Sequence, residues 1–204
     1  MITTHLAATQ PIFFRDALEA VGHTPLIRLN KVIDDARCLV LAKVEYVNPG
    51  GSVKDRPAVE MIRDAEARGA LKTGATIIEA TSGNTGTGLA MAAAIRGYRC
   101  ILVMPDKMSK EKIDLLKAYG AEVVVTPTNV ANESPDSYNN VANRLTAEIP
   151  GAFQPDQWHN TNNPDAHYRT TGPEIWEQTG GTITHFVTGM GTGGTISGTA
   201  RYLK

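Results

Sequence analysis

Three glycine-bearing loops in this 204-residue chain carry residue types that do chemistry. The first is Asn48-Pro49-Gly50-Gly51-Ser52-Val53-Lys54-Asp55-Arg56, which leaves an apolar stretch and enters an amphipathic one. Its glycines permit close backbone approach, and Lys54 stands where the positive end of a helix dipole disfavours protonation. That position is poor for stability and suits an amine nucleophile or Schiff-base partner; the plain alternative is an exposed lysine. The second loop is Thr81-Ser82-Gly83-Asn84-Thr85-Gly86. Backbone N–H groups at a helix start, joined by short hydroxyls and an amide, make a site for a carboxylate or phosphate, or simply a capped turn. The third loop is Gly189-Met190-Gly191-Thr192-Gly193-Gly194-Thr195. It can wrap a dianionic phosphate with backbone donors and a helix dipole. Gly189, Gly191 and Gly194 also satisfy G-x-G-x-x-G, a weak signal outside a first βαβ unit, and no Gly-Lys-Ser/Thr follows to make a Walker loop.

The elements that must position these loops are legible as alternating patterns. Apolar, β-branched-rich runs at 38–47, 75–80, 99–104, 122–126 and 185–189 predict strands. Between them, Asp55 to Arg68 predicts a helix opened by a Ser52/Asp55 capping box and closed at Gly69. Gly86 to Arg96 predicts a second helix, ended at Gly97, and Ser109 caps a third, stopped by Gly120. Residues 136–149, 166–178 and 196–204 add helical stretches, and the polar loop 127–138 has none of this patterning. Strand-helix repetition with short loops implies an α/β fold with a mostly parallel sheet covered on both faces. Ligands in such folds sit where loops leave the carboxyl ends of strands.

Composition narrows the function classes. Lys plus Arg number 20 against 21 for Asp plus Glu, a net charge of −1, so no global attraction draws the chain to nucleic acid or an anionic membrane. A hydrophobic fraction of 42% suits a packed core. Cys38 and Cys100, flanked by apolar residues, read as buried free thiols of a reducing compartment, and the expected localisation is cytoplasmic. The N-terminus lacks the charge and apolar run of a signal peptide, and no stretch is long enough to span a bilayer. The five histidines show no metal-ligand spacing, so no metal is expected. The sequence ends inside an apparent helix, which reads as the mark of a fragment.

An amine nucleophile, an anion site and a phosphate site, each at a strand-to-helix junction, are together what a pyridoxal phosphate enzyme requires. NPGGSVKDR, TSGNTG and GTGGT, in that order, resemble the fold-type II pyridoxal phosphate family of cysteine synthases and cystathionine β-synthases, from Gly22-His23-Thr24-Pro25-Leu26 to the last residue. The resemblance implies two doubly wound, mostly parallel αβα sheets with the C-terminal part of the larger domain missing. Residues 1–46 and 157–204 would belong to that larger domain and 47–156 to a smaller one. It implies pyridoxal 5′-phosphate as cofactor, with Lys54 as its Schiff-base lysine and the base that moves the substrate α-proton. Gly191, Thr192, Gly193, Gly194 and Thr195 would hold the phosphate. Thr81, Ser82, Gly83, Asn84 and Thr85 would bind the substrate carboxylate, Asn84 also approaching the cofactor 3′-oxygen. Gln157 matches the family glutamine that assists them; without that context it reads as a loop-capping amide.

The stretches 96–129, ESPDSY and PDQWHNTNNPDAHYRTT are more similar to cystathionine β-synthases than to cysteine synthases, although Trp158 stands where a tyrosine is common. The implied reaction is β-replacement, L-serine and L-homocysteine giving L-cystathionine. The alternatives are O-acetylserine and sulfide giving cysteine, amino-acid deamination, and a non-catalytic fragment. The implied partners are small amino-acid and thiol substrates and a second copy in a homodimer. No cysteine precedes Cys38, so no haem is expected.

Overall fold

The computed structural model describes residues 13–31, 33 and 37–204. Among the described residues the first elements are two short strands, β1 (Leu26–Arg28) and β2 (Leu41–Lys43), which pair antiparallel with Ile27 opposite Ala42. A single 3-10 turn, Glu45–Val47, leads into the Asn48–Arg56 loop and α1 (Asp55–Ala67). There follow β3 (Thr76–Ala80), α2 (Asn84–Arg96), β4 (Arg99–Pro105), α3 (Lys110–Ala118), β5 (Glu122–Thr126) and α4 (Tyr138–Glu148). Three helices finish the chain: α5 (Asn162–Arg169), α6 (Thr171–Gln178) and α7 (Gly194–Leu203).

The α/β reading holds. Strands β3, β4 and β5 form a parallel sheet in that order, with Ile78 beside Ile101 and Val103 beside Val124. Alternation along the strands divides the core. Ile77, Cys100, Leu102 and Met104 pack on one face with Ala58, Ile62, Leu89 and Leu116 from α1, α2 and α3. Ile78, Ala80, Ile101 and Val103 pack on the other with Val141 and Ala142 of α4. Both faces are therefore covered, which explains why β3 is buried at every position. Helix α2 is buried on nearly all sides, from Thr85 to Ala93, because it lies between the sheet and α1. A side chain at Gly88 would meet Ala58 Cβ at 2.8 Å and the Lys54 carbonyl oxygen at 3.3 Å, so the helices carrying the first two loops cross in backbone contact.

Several expectations need correction. The strand expected over 38–47 contracts to Leu41–Lys43, because residues 45–47 coil into the 3-10 turn. Residues 185–189 form no strand: among the described residues their backbone finds no ladder partner, and Val187 is 90% exposed. The helical stretch 166–178 begins earlier and is broken at Thr170, whose φ of −126° ends α5 before α6 starts. Helix α2 begins at Asn84, two residues ahead of Gly86. The Ser52/Asp55 capping box does not form: Asp55 Oδ2 instead accepts the Gly50 N–H at 2.6 Å, while Ser52 Oγ accepts that of Lys54 at 3.2 Å. Cys100 is buried as expected, its thiol pushed up to about 12 by burial, but Cys38 is exposed beside the short strand β2. No helix among the described residues is long and apolar enough to cross a membrane.

Candidate active site

Lys54 sits at the head of α1, half-buried, and burial lowers its pKa, in the same direction as the helix dipole above which it stands. Its loop is tied down by the Asp55 carboxylate, which burial pushes up to about 6. Behind it, the buried Arg56 fork reaches Glu174 Oε1 and Oε2 at 2.6 and 2.7 Å and Glu45 at 2.7 and 2.8 Å. Lys43 Nζ joins Glu174 at 2.7 Å. Burial works to raise the Glu174 pKa, but hydrogen bonds from Arg56 and Lys43 outweigh it and hold the carboxyl at about 2. This network binds β2, the 3-10 turn, α1 and α6 into one floor. Among the described residues Lys54 Nζ has no hydrogen-bond or ion-pair partner, so its amine is not consumed by the network.

A cavity of about 480 Å³ opens above that floor. It is lined by Lys54 and Lys43, by Gly189, Gly191, Thr192, Gly193, Gly194 and Thr195, and by apolar groups including Val53, Ile175, Phe186 and Val187. Lys54 of the first loop and Gly189 of the third, 135 positions apart in sequence, thus line one space. Helix α7 starts there, with Gly193 at φ +83° as its N-cap, so the N-terminal end of a helix borders the cavity, a setting that suits an anion. A Cβ at Gly194 would collide with Asn163 Oδ1, a buried oxygen without a hydrogen-bond partner among the described residues. At Gly198 a Cβ would strike the Pro164 carbonyl, so α7 and α5 also cross in backbone contact. His167, fully buried, lies 2.8 Å from Thr171 Oγ1 and 3.2 Å from Thr195 Oγ1, and burial lowers its pKa to about 4. A neutral imidazole between two hydroxyls fixes their orientation. Amine, helix terminus, hydroxyls and apolar walls fit a phosphorylated aromatic aldehyde.

The second loop lies outside that lining. Thr81 and Thr85 are buried, Ser82 and Asn84 exposed, and none of them borders the cavity described above. Gln157 joins this loop, not the cavity: Thr85 Oγ1 donates to Gln157 Oε1 at 2.6 Å. Asn163 connects the two halves, its Nδ2 donating to the Gln157 carbonyl and to Thr192 Oγ1, both at 2.8 Å. Asn163, His167, Gly88 and Glu79 were not singled out from sequence. Glu79 alone had a visible signal, a carboxylate inside the apolar run TIIEA.

Residues 17–204 match the family described as pyridoxal-phosphate dependent enzyme, and the chain belongs to that family. Within it, the chain is 56% identical over 191 residues to a cystathionine beta-synthase of Apis mellifera, covering 93% of this chain and 38% of that protein. It is 52% identical to cysteine synthase B of Pseudomonas aeruginosa, covering 91% of this chain and 61% of that one. The crystal structure of a hydrogen sulfide-producing enzyme from Fusobacterium nucleatum superposes with a TM-score of 0.88 at 41% identity, covering 95% of this chain and 62% of that one. The chain thus spans little more than a third of the cystathionine beta-synthase and about six tenths of the other two.

Proposed function

We propose that the chain binds pyridoxal 5′-phosphate between Lys54 and the 191–195 loop and, within the whole protein, joins L-serine and L-homocysteine into L-cystathionine with loss of water. The carrying observation is the shared cavity of Lys54 and Gly191, Thr192, Gly193, Gly194 and Thr195. When bound, the cofactor supplies an electron sink conjugated with the substrate Cα. Lys54, its pKa lowered by burial, takes the proton from Cα and returns it. Amides and hydroxyls of 191–195 hold the phosphate at the α7 N-terminus. Thr81, Ser82, Gly83, Asn84 and Thr85, with Gln157, orient the substrate carboxylate and keep the scissile bond aligned. The division into 47–156 and the remainder, and a homodimeric state, belong to the same proposal.

Identities of 52–56% to cystathionine beta-synthases, against 48–52% to cysteine synthases, lean toward this acceptor. The second reading, O-acetylserine and sulfide giving cysteine, draws on the narrowness of that margin. Product formation from each substrate pair, followed by mass spectrometry on the cofactor-loaded protein, separates them. Cystathionine formed with a kcat/KM at least about tenfold above that for cysteine synthesis is the expected result. The reverse ratio assigns the second reading, and bound cofactor without either product assigns a non-catalytic role.

A further inference from the structure

Glu79, the fourth of the five β3 residues, is 2% exposed, with apolar neighbours on both sides and every strand position buried. A buried carboxylate is costly unless it is hydrogen-bonded. Its partners are two consecutive backbone amides: Asp156 N–H donates to Oε2 at 2.8 Å and Gln157 N–H to Oε1 at 3.2 Å. Neither amide has a backbone acceptor among the described residues. Asp156 sits at φ +49°, a left-handed conformation unusual for a residue with a side chain, so the turn needs fastening from outside. The chain reaches this point as a graft on β3, with Phe153 bonded to Ile78 and Thr76 at 2.9 and 2.8 Å. Two residues beyond Glu79, the same strand releases Thr81 into the second loop.

We propose that Glu79 is a positioning residue for amino-acid binding, gripping the amides of Asp156 and Gln157 so that the Gln157 side chain meets Thr85. The geometry makes β3 the common mount of both parts of the substrate site. Its C-terminal end delivers 81–85 directly, and its buried carboxylate delivers Gln157. Burial pushes the Glu79 pKa up to about 7, and above that pH one carboxylate oxygen serves each amide, which a carboxamide cannot reproduce, because its NH₂ would face an N–H. Glu79→Gln therefore breaks the grip without changing volume.

The role rests on the reading above that Gln157 helps bind the amino acid. The test is a double-mutant cycle on the cofactor-loaded protein with Glu79→Gln, Gln157→Ala and both, combined with amide hydrogen exchange on the unmutated protein. Glu79→Gln is expected to raise the amino-acid KM about tenfold, with kcat and cofactor affinity changed less than about threefold. In the Gln157→Ala background the same change is expected to add less than twofold, because Glu79 acts through that side chain. Additive effects, or losses confined to cofactor affinity, overturn the proposal. Exchange needs no variant to fold: amides of Asp156 and Gln157 are expected to be protected like those of β3, and fast exchange overturns the grip. If those amides are protected and the unmutated protein binds no amino acid, the functional reading is what has failed, and the positioning role falls with it.

Discussion

Thr85 Oγ1 donates to Gln157 Oε1 at 2.6 Å, across 72 positions of sequence, and this bond decides which way the glutamine amide faces. With its oxygen occupied by the threonine, Gln157 keeps its two N–H donors for another acceptor, which a substrate carboxylate would supply. Thr85→Val keeps the shape and deletes the donor. The buried Gln157 oxygen is then left unsatisfied, at a cost of about 1–3 kcal/mol. Amino-acid KM is expected to rise about tenfold and the melting temperature to fall, measured by steady-state kinetics and calorimetry; an unchanged KM would show that the amide is oriented by something else.

Added pyridoxal phosphate is expected to give a yellow absorption band in the parent protein that borohydride bleaches and fixes covalently. In Lys54→Ala the band and the covalent mass adduct are both expected to be lost. An adduct that moves to Lys43, the other amine of the same cavity, would reassign the nucleophile. The structure gives reason to expect otherwise, since Lys43 is engaged with Glu174 Oε2 at 2.7 Å, Gln178 Oε1 at 2.9 Å and the Thr24 carbonyl at 2.6 Å.

The loops were readable because each needs a distinctive local composition. Glycines and hydroxyls at a strand-to-helix junction stand out in the sequence, and Lys54 stands out by sitting at the unfavourable end of a helix. The parallel sheet was readable from its apolar runs. What escaped was whatever depends on distant partners. HFVTG has strand composition but no neighbour among the described residues, and composition cannot report a missing ladder. Asn163 sits on a helix with no local oddity, and only the crossing of α5 and α7 brings it against Thr192. Cys38 lies in an apolar stretch that would be buried as a long strand; the strand is three residues long and the thiol is exposed.

Gly194 supplies a test of that crossing. Its place beside Asn163 leaves no room for a methyl group, so Gly194→Ala must displace the asparagine that joins Thr192 to the Gln157 carbonyl. Affinity for pyridoxal phosphate, read by fluorescence titration, is expected to fall at least about tenfold, since the first amides of α7 lose their alignment. Gly180→Ala, at an exposed helix-end glycine with nothing within 4 Å to meet a Cβ but a left-handed φ of +57°, is the control for a destabilising helix-terminal mutation remote from the cavity. Its expected effect on cofactor affinity is less than twofold, and equal losses in both variants would detach the asparagine from the phosphate site.

The buried Arg56–Glu174 pair sets an acid limit on the fold. Glu174 is held at about 2 in the folded chain, below an ordinary value of 4.5, because Arg56 and Lys43 hydrogen-bond its charged form strongly enough to overcome burial. A depressed carboxylate stabilises the folded state above its unfolded pKa, and the benefit drains away as pH falls from about 4.5 toward about 2. Glu174→Gln keeps the shape but leaves the Arg56 guanidinium with Glu45 as its one counter-ion and Lys43 with none among the described residues, which lowers stability near neutral pH. Because the variant no longer titrates at this position, its stability is expected to decline less steeply than the parent's between pH 4.5 and 2. Urea denaturation at a series of pH values reads both effects. Parallel pH profiles would mean that the pair is not the group whose protonation loosens the floor beneath Lys54.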